Sequence, residues 1–207
     1  MTEPVDPYDQ IIMAVGEVCF WWSSLEHLIH DIVLHLAVAL DPAFDKESPR
    51  NILHLTLASL DIRGKIVTAK ALAHQIDEID SPGFYDRVEE LLNYVDNELR
   101  PERNRYVHDN WSIAGSAAMR MRLAPKITRP QARQRDLTMW SGRRYPSITA
   151  ALAFVKNLQL ADGDLVQLDN HIAWMVSQRD LQPGSPQPLL PEWQSLAHRD
   201  WREPSKR

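Results

Sequence analysis

The chain is 207 residues long and 44% hydrophobic, enough for one good-sized domain with its own core and too little for an easy second one. Its single cysteine, Cys19, excludes an intramolecular disulfide and points to a reducing compartment. No signal peptide is evident and no unbroken apolar run approaches the ~20 residues of a membrane helix, so a cytoplasmic location with no membrane partner is expected. The net charge of −5 argues against a generic nucleic-acid binder, but it is unevenly placed: residues 1–99 carry 6 Lys+Arg against 18 Asp+Glu, and residues 100–144 carry 11 against 3. Either the basic segment meets an anionic partner, or the acidic helices face a basic hairpin within one fold.

From about Asp9 to Leu40 the apolar positions Ile12, Val15, Val18, Trp22, Leu25, Ile29, Val33 and Leu36 recur at three- and four-residue steps, which predicts one long helix ended by Asp41-Pro42. At ~1.5 Å per residue it is longer than a small core needs, so part of it should meet a partner. Trp21 and Trp22 point ~100° apart, which leaves at most one of them in the core stripe. The other is a candidate interface residue or an indole lying half exposed over a neighbouring helix. Ser48-Pro49 reads as a helix start, and Ser59 to Asp61 as another start or a kink. Ile62, Ile66, Ala69, Leu72 and Ile76 form the second main stripe. Ser81-Pro82 opens the third, with Phe84, Val88, Leu91, Val95 and Leu99 in phase up to Tyr106. That continuity predicts a kink at Pro101; a restart with Pro101 at the first helical position would instead put Arg103 in an anion-attracting first turn.

Past Trp111 the period becomes two. Met119, Met121 and Leu123 alternate with Arg120 and Arg122, a half-buried strand with arginines on its open face. Leu137 to Trp140 is its expected partner across a loop containing Pro125 and Pro130, and Ser141-Gly142 should turn the chain out. From a Ser147 cap, Ile148, Ala151, Val155, Leu158, Leu165, Leu168, Ile172 and Met175 hold one helical phase through Gly163 to about Gln178. The expected fold class is therefore all-α, mainly helical: a four-helix bundle-like domain over 1–181 with a small β-hairpin inserted around 112–146. An irregular, Pro-rich tail follows over 182–207, and Trp193, Leu196 and Trp201 imply that it docks.

Chemistry concentrates at the end of the third helix, in Arg100-Pro-Glu-Arg-Asn-Arg-Tyr-Val-His-Asp-Asn-Trp111. Asn104 and His108, four apart, share a helix face, so the amide is placed to fix which ring nitrogen carries the proton. Arg103 and His108 differ in direction by roughly 140°. Either the helix ends near His108 and the imidazole swings round, or a second copy supplies part of the site. Imidazole moves protons near neutrality, and a guanidinium holds a phosphate through two parallel hydrogen bonds. Arg100 and Arg105 would take flanking phosphates, with Tyr106 in support. The plainer reading is that these groups cap a helix end and pair with Asp96, Asp109 or Glu26. For Arg103 and His108 together the functional reading leads; for Arg100, Arg105 and Tyr106 the plainer one does.

Arg103, four residues, then His108, with a polar Asn104 directly after the arginine and a Leu-Glu pair at Ser24-Leu25-Glu26, resembles the signature of HEPN domains (higher eukaryotes and prokaryotes nucleotide-binding). The likeness in layout runs from about Asp9 to Gln178. It implies a homodimeric helical bundle acting as a metal-independent endoribonuclease with no cofactor, a toxin or effector of a defence or conflict system with RNA as substrate and a cognate inhibitor protein as a further partner. It also implies that Glu26 braces the motif arginine or histidine from the facing helix, against the rival reading of a solvated carboxylate. Some members carry a modifiable tyrosine two residues after the histidine; Asn110 stands there in this chain. The second function class is a non-catalytic HEPN-type module for nucleotide or RNA binding or for protein assembly. A third, a metal-dependent bundle enzyme, rests on His27, His30, Asp31 and His35. It lacks the Glu-x-x-His pair such bundles use, and the chain has neither a phosphate-cradling glycine loop nor a nucleophile elbow.

Overall fold

The computed structural model describes residues 6–79, 83–108, 110–114, 117–127, 137–144, 148–181, 190 and 192–198, the strands by their backbone alone. Helix α1 (Pro7–Leu40) is the element the others are laid on. Asp6 starts it: its carboxylate accepts from the Tyr8 N–H at 2.8 Å, and Pro7 fills the first helical position, where a missing N–H costs nothing. Asp41 ends it in an extended conformation, and Pro42 opens a 3-10 turn over Pro42–Asp45. The buried face holds Ile11, Ala14, Val18, Trp22, Leu25, Ile29, Val33 and Leu36. From Val18 onward this is the expected stripe. In the first turns it is displaced by one residue, leaving Ile12 on the outside. Apolar residues stand at both 11 and 12, but Ile11 lies within about 20° of Val18 on the helical wheel and Ile12 about 120° away.

By length and composition alone, α1 is apolar enough to pass for a membrane-crossing helix, although, as expected, it holds no unbroken apolar run of that length. Glu17, Glu26 and Asp31 break any continuous run, yet the mean hydropathy of its most apolar window is high. A helix surrounded by others has the same composition, since it is apolar on several sides. Here α3 and α6 lie along it.

Helix α2 (Glu47–Ala58) begins just before Ser48-Pro49 and buries only Leu57. Helix α3 (Ile62–Ile79) is capped by Asp61, whose carboxylate accepts from the Gly64 N–H at 2.8 Å, and turns Ile66, Ala69, Ala73 and Ile76 onto the core. The Ser81-Pro82 start lies outside the described residues. The third main helix is continuous in three parts: α4 (Phe84–Tyr94), a π-helical turn over Val95–Leu99, and α5 (Arg100–His108). The Arg100 N–H donates to the carbonyl of Val95, five residues back. Proline has no N–H and its ring crowds the carbonyl four residues before it. A widened turn directly ahead of Pro101 absorbs that conflict without breaking the helix. The restart at Pro101 therefore does not occur, and Arg103 is not in a first turn with free amides.

Three strands follow, β1 (Asn110–Ala114), β2 (Ala117–Ile127) and β3 (Leu137–Arg144), an antiparallel meander in the order β1-β2-β3. The expected pair is thus joined by a leading strand, and both of its members run further than the turn residues suggested. Pro125 pairs in register with Met139 and Gly142 with Arg122, rather than standing in a loop and a turn. β1 pairs with β2 only between Ala117 and Met121, so at Pro125 β2 has a neighbour on one side only and tolerates a residue without a donor. The open face expected of Arg120 and Arg122 lies outside the described residues, as do Asp109, Ser147 and Trp201.

Helix α6 (Ile148–Leu181) runs unbroken past Gly163 and packs along α1. Phe154 stacks on Tyr106 at 5.1 Å between ring centroids, and Asn157 accepts from the Tyr94 hydroxyl at 3.2 Å. The tail docks through a short helix, α7 (Gln194–Ala197). The buried carboxylate of Asp164 accepts from the N–H groups of Gln194 and Ser195, at 3.0 and 2.8 Å. Trp193 is buried and donates its indole N–H to the Arg87 carbonyl at 2.9 Å, while the Arg87 guanidinium lies over its ring. The fold is a mainly helical bundle with a minor inserted sheet.

Candidate functional site

Three of the motif residues resolve into two kinds. Arg100 donates to Asp96 at 2.7 Å across one helical turn, and Arg63 of α3 stands 3.8 Å from the same carboxylate. Arg105 donates to Glu102, also at 2.7 Å. Both are half-exposed ion pairs within the helix, worth a few tenths of a kcal/mol to about 1 kcal/mol. Tyr106 is core: 2% exposed and stacked on Phe154.

Arg103 stands apart. Its guanidinium lies over the ring of Trp22 of α1, 5.5 Å from the centroid, within range for a cation–π contact. Nη1 donates to the Asn104 side-chain carbonyl at 3.2 Å. Nε is buried with no hydrogen-bond partner, and no carboxylate comes within ion-pair distance of Arg103 among the described residues. Trp22 in turn donates its indole N–H to Glu26 at 2.6 Å. Glu26 therefore bonds to the ring over which the guanidinium lies, and it makes no ion pair with Arg103 or His108 themselves among the described residues, so the direct brace that the resemblance implied is not what this carboxylate forms.

His108 is the last residue of α5 and is exposed. Asn104 gives its carbonyl to Arg103, and no hydrogen bond joins it to His108 among the described residues. The site residues thus share one helix end, with an arginine held by Trp22 and Asn104 and an exposed imidazole that no described residue hydrogen-bonds. What sequence reasoning missed is Trp22 as the arginine's platform. The signal was present in part, since Trp22 and Glu26 are four apart on α1 and so within bonding reach.

The histidines of α1 are distributed among different partners. His27 meets Asp31 at 3.3 Å, His30 meets His54 of α2 at 2.9 Å, and His35 meets Asp169 of α6 at 2.6 Å. Among the described residues no three His, Cys, Asp or Glu side chains gather in a way that could hold a metal ion. No protein-family model matches the chain, and no curated protein or solved structure matches it.

Proposed function

We propose that this chain is a HEPN-like, metal-independent endoribonuclease that works in the cytoplasm as a homodimer, an effector of the toxin or defence kind. The observation that carries the reading is Arg103: a cation braced by Trp22 and Asn104, with a buried Nε–H lacking an acceptor and, among the described residues, no carboxylate within ion-pair distance. The Arg103 side chain as a whole is only partly buried, and an RNA phosphate is an anion that its accessible donors would hold by charge-assisted hydrogen bonds. In the proposed reaction His108 takes the proton of a ribose 2′-hydroxyl. The 2′-oxygen then bonds to phosphorus as the bond to the 5′-oxygen breaks, and the leaving oxygen takes up a proton. The products are a 2′,3′-cyclic phosphate and a 5′-hydroxyl, with Arg103 countering the charge of the phosphorane between them.

Homodimerisation is supported by the outer face of α1, where Ile12, Met13 and Phe20 are more than half exposed beside the half-buried Trp21. A second copy would also supply the group that the 140° between Arg103 and His108 withholds from a single chain. The alternative reading, a non-catalytic RNA-binding or assembly module, is favoured by one observation: Asn104 is engaged by Arg103 and, among the described residues, makes no hydrogen bond that would fix the His108 tautomer. The experiment is to incubate the purified protein with a mixed RNA pool in EDTA. Cleavage leaving 2′,3′-cyclic phosphate ends is the expected result, binding without cleavage would favour the alternative, and activity that requires added metal would favour a metal-dependent enzyme.

A further inference from the structure

Two histidines five residues apart on α1 face different helices. His30 Nε2 lies 2.9 Å from His54 Nδ1 of α2, with the ring centroids 5.0 Å apart. His35 Nδ1 lies 2.6 Å from Asp169 Oδ1 of α6. The two contacts have opposite proton requirements. A bond between imidazoles needs one lone pair, so it survives the first added proton and is broken by the second; a bond from imidazole to carboxylate is strengthened by a proton. We propose that acidification releases α2 from α1 while tightening α1 against α6, which makes α2 a flap latched by the His30–His54 pair.

The attachment of α2 is otherwise sparse. Leu57 is its one buried residue, and Ile52 and Leu55 are 64% and 75% exposed. The groups facing the pair are His27 and Asp31 of α1 and Lys65 of α3. Burial, then the Lys65 cation, then His54 and His27 hold His30 below the ordinary histidine value, with Asp31 opposing them. The hydrogen bond to Asp169 raises His35 against its burial, with Asp169 and Asp31 adding to the rise and Arg50 of α2 acting against it. When α2 leaves, Arg50 leaves with it, so release of the flap and charging of His35 favour one another.

The signs follow from linkage. The latched state holds His30 below its free value and so binds fewer protons than the released state. Its stabilisation is complete above about pH 6.5 and declines as pH falls below that, with the bond itself broken once the pair takes up its second proton. His35, raised, contributes fully in acid and loses its contribution only as pH rises through its elevated value. The release of α2 therefore falls on the acid side of about pH 6.5, where the His35 contribution to the α1–α6 contact is complete.

Amide hydrogen exchange on the full chain, corrected for intrinsic rates, reads the two helices separately. Between about pH 7.5 and pH 5.0, protection over residues 50–58 should fall by about tenfold or more, while residues around Asp169 in α6 keep theirs. His54→Gln offers an uncharged amide to His30 and should hold α2 protection nearly constant with pH; His30→Gln, which leaves the same bond from the other side, is the second variant if the first does not fold. The proposal is overturned if wild-type α2 keeps its protection in acid, if α2 and α6 lose it together, or if the loss persists in a glutamine variant.

Discussion

Arg103 has a supported position and an unmet bonding capacity, and the support can be tested apart from the chemistry. Trp22→Ala should cost about 3–5 kcal/mol of stability, because a 2% exposed indole leaves a cavity that the bundle cannot fill. Trp22→Phe keeps an aromatic face under the guanidinium and gives up the bond to Glu26 and part of the buried volume, so urea unfolding should register about 1–3 kcal/mol. Arg103→Ala should weaken both RNA binding and turnover, since in the proposed reaction its charge meets the phosphate before and during the step. Arg103→Lys should restore binding more than turnover, because an ammonium cannot present two parallel donors, and a gel-shift titration beside a cleavage assay separates the two. The spacing of Arg103, Asn104 and His108 was legible because those residues are neighbours on one helix. The platform under Arg103, the His30–His54 pair and the His35–Asp169 pair were not, because each joins residues far apart in sequence and depends on how the helices cross.

At the scale of elements, hydrophobic period was the reliable guide for α1 and α6, where more than two dozen residues hold one phase. It misled in the first turns of α1, where adjacent apolar residues fit two phases, and in the sheet, where Pro125 and Gly142 read as loop signals although both pair in register. The π-turn was not legible, since Leu99 and Tyr106 stand seven apart and remain on one face whether or not the helix widens before Pro101. Gly163 gives a direct test of α6. A Cβ at that position meets nothing within 4 Å, so Gly163→Ala should stabilise the protein by about 1 kcal/mol through helix propensity and lost unfolded-state freedom. An unchanged or lowered melting temperature would mean that the helix does not run straight through this residue.

For the whole molecule, the exposed apolar face of α1 and the divided geometry of Arg103 and His108 point to the same assembly. Light scattering should give about twice the 23.8 kDa chain mass at micromolar concentration. A dimer that mixes one His108→Ala chain with one Arg103→Ala chain should recover one working site if the two copies share it, and none if each copy is self-sufficient in both residues. In the proposed reaction His108 moves the protons of RNA cleavage. Single-turnover cleavage with the RNA fully bound, wild type against His108→Ala, measures that step without the binding step. The account predicts a rate lower by about 10² to 10⁴ at nearly unchanged affinity; equal rates, or no cleavage by wild type with or without metal, would contradict it.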